Sequence, residues 1–460
     1  MATPIRVGVL FFVLLVAANV KATPEFHLRN EVSLNGFGGI PFCADLDADG
    51  DTDVLWLQSP GLFHSRVFDR PPWNESITED DRRHFLLTAT DANGNVMWRL
   101  GTPWRGERPF VTHGAERALD VADLDGDGEL EVVCVRRSEI LVIDGRSGKI
   151  EHSVKSENDT VQIIRVARTG SSPERWTILA KNSERTDVPS QYANPAWFYD
   201  VDLKLLKKFG YLGAGHAPLV TDLDEDGLDE FIIGFNLVDH KLRTVWSFQP
   251  TIPKEWDAYQ MHVDHIDVGR VGGVKVVGFA ASDTAYLLRA SDGKLLWKRR
   301  GEHPQHCRVG RFHPEMDDGQ LFVHNKRADL QLFDASGTEL WRVTPPQNFP
   351  LGQAAPCKRR KFHVFDPTTE LKAHGANETS LLIFTDAGWP YVLDGRGKRV
   401  AEFSHTPNAA QDWGEVPGRP DDYGYGYYAR IEDFDADGDI EVLLNDRRFA
   451  WFYEISSPVE

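Results

Sequence analysis

Residues 45–58 read Asp45-Leu-Asp-Ala-Asp-Gly-Asp-Thr-Asp53 followed at once by VLWLQ. Alternating aspartates end in a glycine turn, and a run of buried-type residues begins where the acids stop. Such a run, rich in Val, Leu and aromatics between turn signals, reads as a short buried strand. The pattern returns three times, as Asp123-Leu-Asp-Gly-Asp-Gly-Glu-Leu-Glu131, Asp222-Leu-Asp-Glu-Asp-Gly-Leu-Asp-Glu230 and Asp433-Phe-Asp-Ala-Asp-Gly-Asp-Ile-Glu441, each again followed by an apolar run. Internal repetition at this scale points to a repeat architecture.

Between these loops runs a second repeat, a hairpin of two apolar segments around an Asp-x-x-Gly-like turn. Its copies are LLTATDANGNVMW (86–98), ILVIDGRSGKI (140–150), YLLRASDGKLLW (286–297), LQLFDASGTELW (330–341) and PYVLDGRGKRVAEF (390–403), with WFYDVDLKLL (197–206) a worn one. Together the two repeats define units beginning near residues 36, 113, 160, 216, 262, 305, 351 and 427. Each holds three or four short strands over roughly forty residues, the size of a propeller blade. Units near 262 and 305 keep the blade but lack the acidic loop. The last unit is one strand short, and residues 25–34 (EFHLRNEVSL) supply it. The expectation is all-β: one β-propeller of eight blades, with seven as the alternative.

Composition narrows the function. The 460 residues carry 51 Lys+Arg against 70 Asp+Glu, a net charge of −19, and 41 % are hydrophobic. That balance excludes a disordered chain and gives no basic field for a nucleic acid. The apolar run Val7–Ala18, after Arg6 and before a small-x-small site at Val20-Lys21-Ala22, reads as a signal peptide over residues 1–22. The propeller then occupies 23–460 as the catalytic domain, secreted, extracellular or periplasmic, a monomer with no membrane insertion after cleavage. An oxidising compartment allows Cys43, Cys134, Cys307 and Cys357 to pair in three ways.

Carboxylates at positions 1, 3, 5 and 9 of each acidic loop place hard oxygens around one point, as Ca²⁺ requires. The expected metal residues are Asp45, Asp47, Asp49 and Asp53; Asp123, Asp125, Asp127 and Glu131; Asp222, Asp224, Asp226 and Glu230; and Asp433, Asp435, Asp437 and Glu441. An EF-hand is excluded, because position 12 is Trp56, Cys134, Ile233 or Leu444 and a strand follows. The loops resemble the calcium-binding repeats of FG-GAP and VCBS-type propellers, which implies structural Ca²⁺.

Histidines gather at several of the unit starts, where the chain enters an innermost strand: His113, His216, His262 and His265, and His303 and His306. Recurrence at equivalent places predicts convergence at one mouth of the ring. Imidazole and phenol without a nucleophile motif suit proton transfer. On a uronic-acid polysaccharide that chemistry is β-elimination, with the carboxylate neutralised by a cation. Zinc held by His262, His265, His303 and His306 with Cys307 and Cys357 is a second use of the same residues. The basic stretch Lys358–Lys361 offers a polyanion contact.

The leader, the acidic blades, LTATDANGNVMW, AKNSERTDVPSQYANPAWFYDVDLKLL and GAGHAPLVTDLDEDG together resemble secreted propeller polysaccharide lyases: ulvan lyases, rhamnose–glucuronate lyases and, more distantly, rhamnogalacturonan lyases. The resemblance implies an anionic polysaccharide substrate, ulvan or a rhamnose/glucuronate polymer. It implies His113 and Tyr192 as the acid–base pair and His84 as a further catalytic histidine, with His64 its competitor. Lys208, or Lys207, stands where such lyases carry a basic residue for the carboxylate. His216, His265 and His306 are expected to bind substrate. The rival reading is a non-catalytic FG-GAP propeller that binds carbohydrate or a cell-surface partner. A quinoprotein-like dehydrogenase shares the hairpins but has no cofactor motif here.

Overall fold

The computed structural model describes residues 24–456 except 59–83, 104–117, 137–138, 158–160, 171–175, 183–192, 212, 217, 252–260, 326–328, 344–367, 372–378, 385–389, 404–427 and 446–447. Among the described residues there is no helix, and the strands form eight four-stranded antiparallel sheets. Blades 1 to 8 have as their innermost strands Ile40–Ala44, Leu119–Ala122, Val161–Arg168, Leu219–Thr221, Val263–Val271, Pro304–Gly310, Thr368–Leu371 and Tyr428–Glu432. Innermost strands lie against one another between blades 2 and 3, 3 and 4, 5 and 6, 7 and 8, and 8 and 1, so the row of strands closes into a ring about the axis. The chain is an eight-bladed β-propeller.

Closure is as the sequence suggests. Glu25–Ser33 pairs antiparallel with Phe449–Ser456 and becomes the outermost strand of blade 8. A strand from one end of the chain thus completes a sheet made by the other, and no blade edge is left open at the seam.

The up-and-down order sorts every connection onto one of two faces. Each innermost strand runs from an upper face to a lower one, so the acidic loops (Asp45–Asp53 and its three copies) and the hairpin turns between third and outermost strands lie below. The other ends of the strands, where one blade gives way to the next and the second strand to the third, lie above. Blade 5 replaces its acidic loop by a two-residue turn, with Val271 opposite Val274. Gly272 and Gly273 supply the positive φ (60° and 70°) that such a turn needs.

Adjacent blades are fastened on the lower face by a repeated contact. The outermost-strand tryptophans Trp98, Trp246, Trp297 and Trp341 donate their indole N–H to Gly145, Ala290, Ala335 and Gly395 of the next blade's hairpin. The indole lies against the turn glycine itself: a Cβ on Gly148 or Gly293 would sit 2.5 or 2.7 Å from the ring of Trp98 or Trp246. Blades 2 and 3 carry no tryptophan on their outermost strands, Ile150–Lys155 and Leu205–Phe209. The turns that follow hold Leu203 and Leu242 in the glycine position, still left-handed at φ 61° and 59°. Leu203 is buried in the core between blades 2 and 3, in the space an indole takes elsewhere.

Candidate functional site

On the upper face three blades bring their entry segments together. His216 precedes the innermost strand of blade 4, His262 that of blade 5 and His303 that of blade 6. All three turn Nε2 toward one carboxylate oxygen, Asp264 Oδ1, at 3.8, 3.4 and 3.7 Å. The rings of His216 and His262 stand edge-on with centroids 5.2 Å apart, and those of His262 and His303 5.6 Å apart.

Local backbone irregularity makes this possible. In blade 5 the register steps from Val263 opposite Ala281 to His265 opposite Ala280, so Asp264 is an extra residue. Blade 6 repeats the step, leaving Gln305 extra between Pro304 and His306. A β-bulge re-aims the side chain it inserts. The two bulge residues meet: Gln305 Nε2 donates to Asp264 Oδ1 at 2.7 Å. His216 is placed by short pairing across blades, its N–H on the Val263 carbonyl at 2.8 Å, while the Val263 N–H reaches Gly213 at 3.1 Å. Gly215 is required there, because a Cβ would lie 1.7 Å from the Val263 carbonyl oxygen. Beneath this segment the fully buried Lys181 donates to the Gly215 carbonyl at 2.7 Å.

The cluster is graded from dry to wet. The Asp264 and His216 side chains are 1 % and 7 % exposed, His262 13 % and His303 31 %, so the mouth opens on the His303 side. Burial opposes the charge on Asp264, but His262 and His303 hold its carboxyl well below the usual carboxylate range. Its second oxygen, Oδ2, is buried with no hydrogen-bond partner.

Of the residues expected from sequence, His216 belongs to this cluster. His265 and His306 do not: they are 5 % and 1 % exposed, stacked on each other at 3.7 Å between blades 5 and 6, with Cys307 Sγ 3.8 Å from His265 Nδ1. The bulges send His262 and His303 to the mouth and these two inward. His84 lies on blade 1, three blades away, with Nε2 3.3 Å from Gln58 Oε1. Lys208 is on the outermost strand of blade 3, where its ammonium meets Glu157 and lies over the Trp197 ring at 5.7 Å. Neither is brought to the cluster: Lys208 sits at the perimeter because the fourth strand of a blade is its outer edge. Residues 1–22, His64, His113, Tyr192, Cys357 and Lys358–Lys361 lie outside the described residues. Cys43, Cys134 and Cys307 are free thiols.

Asp264, Gln305 and Lys181 escape a sequence reading. Histidines before a strand are visible as a recurrence, whereas a bulge residue is visible only once two strands are aligned.

The acidic loops on the lower face have one internal order. The ninth-position carboxylates Asp53, Glu131, Glu230 and Glu441 accept the backbone N–H of Leu46, Leu124, Leu223 and Phe434 at 2.7 to 3.0 Å. The opening aspartates Asp45, Asp123, Asp222 and Asp433 accept the N–H of the turn glycine. Oxygens of Asp45, Asp47 and Asp53, of Asp123, Asp125 and Asp127, and of Asp222, Asp224 and Asp226 lie within 4.8 Å of one another. Burial, with the neighbouring aspartates, pushes Asp53, Glu131 and Glu230 up to about 7. Asp47 Oδ1, Asp433 Oδ1 and Asp435 Oδ1 are buried without a hydrogen-bond partner. An oxygen-only set, crowded with like charge and partly orphaned, fits a hard divalent cation.

Comparison with known proteins bears on the fold. Residues 240–377 match the family model described as outer membrane protein assembly factor BamB, less than half of the chain. No curated protein matches its sequence. Among solved structures, the Bacillus licheniformis rhamnogalacturonan lyase superposes with a TM-score of 0.53 at 15 % identity, covering 94 % of this chain and 75 % of its own. The V. cholerae biofilm matrix protein Bap1 gives 0.56 at 11 % identity, covering 95 % and 92 %. BamB from Moraxella catarrhalis gives 0.51 at 10 % identity, covering 94 % and 100 %. At such identities the likeness establishes the propeller, which hosts lyases and non-enzymes alike.

Proposed function

We propose that the protein is a secreted polysaccharide lyase that cleaves a uronate-bearing polymer, ulvan or a rhamnose/glucuronate type, by β-elimination at the upper mouth. The observation that carries this reading is the convergence of His216, His262 and His303 from three blades on the buried Asp264. A rhamnogalacturonan lyase among the structural neighbours, its likeness spanning almost the whole chain, supports it.

In the elimination a base takes the proton at C5, the C4–oxygen bond breaks, C4 and C5 become doubly bonded, and the leaving oxygen gains a proton. The substrate carboxylate must be neutralised to acidify C5. His216 and His262, converging on the buried Asp264, mark the place where a cation would meet that carboxylate. His303, the most open of the three, faces the substrate side and exchanges the proton. The other proton transfer falls to His113 or Tyr192, the acid–base partners the sequence suggests. In the same proposal the four acidic loops hold structural Ca²⁺, which neutralises their crowded carboxylates and fixes the lower turns.

The test is ultraviolet absorbance of the unsaturated product across a panel of uronate polysaccharides. A substrate should be found, and His303→Ala should lower turnover about 10²–10⁴-fold, the usual contribution of a general acid–base group. Binding of a polysaccharide without absorbance change across the panel would favour the non-catalytic propeller instead.

A further inference from the structure

We infer that His216, His262 and Asp264 form a binding site for a divalent transition cation of the zinc class, distinct in kind from the acidic loops. One nitrogen from each histidine and one oxygen of Asp264 lie within 4.8 Å of one another. Two donors about 2.0–2.1 Å from a tetrahedral ion stand roughly 3.3–3.4 Å apart. The separations from Asp264 Oδ1, 3.4 Å to His262 and 3.8 Å to His216, need only a small inward turn of each ring.

Three features favour an ion over a hydrogen-bonded cluster. The carboxylate is fully buried, yet Oδ2 has no partner, an arrangement costly for a charged group unless a cation sits nearby. Two imidazole nitrogens with one carboxylate oxygen are the donors that zinc and its neighbours take, whereas Ca²⁺ selects oxygen alone. The donors are also held from outside: Gln305 on Asp264, and the Val263 pairing and Lys181 on the His216 segment. Outer contacts of this sort orient metal ligands.

Three protein donors leave a coordination position free, and among the described residues the most solvent-exposed side of the cluster is that of His303. An oxygen of an acidic sugar would enter there. That consequence rests on the lyase reading; the binding of the ion does not.

The experiment uses the whole secreted chain in calcium buffer, stripped with 1,10-phenanthroline, which removes transition ions and leaves calcium. After Zn²⁺ is added back, one equivalent should stay bound through desalting, and Co²⁺ in its place should show ligand-field bands that excess Ca²⁺ leaves unchanged. Loss of an outer-contact residue weakens metal affinity about 10–100-fold, so loss of a ligand in His262→Ala or Asp264→Asn should weaken it at least 100-fold. Cys307→Ser should bind as the parent does, which separates this site from the buried His265–His306 pair. If Asp264→Asn fails to fold, His216→Gln serves in its place. Substoichiometric zinc, or stoichiometric zinc that survives both His262→Ala and the second ligand variant, would overturn the inference. No polysaccharide is present, so failure here leaves the lyase assay to be judged separately.

Discussion

The two faces of the ring are made by different rules. Below, short motifs repeat: acidic loop, hairpin turn, and an indole docked on the next turn. Each works within a few residues of sequence or with one partner in the adjacent blade. Above, among the described residues, no motif repeats in full. The mouth cluster needs an entry segment from blade 4, a bulge from blade 5 and another from blade 6. A modular face tolerates the loss of one copy, as the two-residue turn of blade 5 shows. A composite face has no spare copy.

That difference predicts what removal of calcium does. Each acidic loop that binds calcium in the folded state alone adds roughly 2.7 kcal/mol at a hundredfold excess over its dissociation constant. Exhaustive exchange against a calcium chelator should therefore lower the melting temperature strongly. Asp222→Asn should reproduce only part of that drop. Phenanthroline, acting on the upper cluster, should move melting far less. A melting temperature indifferent to calcium would remove the loops from the stability of the ring.

The next effect separates the turns. Gly293 packs under Trp246 at φ 66°, so Gly293→Leu meets both the indole and a left-handed backbone. Overpacking typically costs 1–3 kcal/mol and the left-handed conformation roughly 1–2 more. Leu242, half-buried and with no indole before it, already bears that backbone cost. Leu242→Gly relieves the strain while losing some packing and raising chain entropy, for a net change within about 1 kcal/mol. Denaturant midpoints at equal slope measure both. Equal losses at the two turns would mean that the residue of the preceding blade does not decide what the turn accepts.

How much could be read beforehand follows the same division. The eight blades, the closing strand at Glu25–Ser33 and the four acidic loops are local patterns, and the sequence displays them. The blade 4 hairpin, Asn236–Val238 with Thr244–Ser247, escapes notice because Leu242 stands where the other copies show glycine. His216, His262 and His303 are legible as recurring histidines. Their meeting with Asp264 and Gln305 is not, because a one-residue bulge reverses which side chains face the mouth. The same reversal takes His265 and His306 out of reach of a substrate. The place of Lys208 is hidden for a simpler reason: position along a family motif does not say which strand of a blade is outermost.

The smallest effect probes what lies beneath the mouth. His324 of blade 6 stands opposite His306 in the sheet and is 2 % exposed. Burial, and then the neighbouring His306, lower its pKa to about 3. An unfolded chain takes up a proton on this imidazole below about pH 6.5, whereas the folded chain does not until near pH 3. The neutral ring thus supports the fold fully above pH 6.5, and that support falls as the pH drops toward 3. The slope is about 1.4 kcal/mol per pH unit inside the window. Other groups titrate over the same range, so the useful quantity is a difference. Between pH 7.5 and pH 5.5, the stability gap between the parent and His324→Gln should narrow by about 1 kcal/mol in favour of the variant. Parallel curves would mean that His324 takes up its proton as readily in the folded protein as in the unfolded chain, and that a buried charge stands between blades 5 and 6 at pH 5.5.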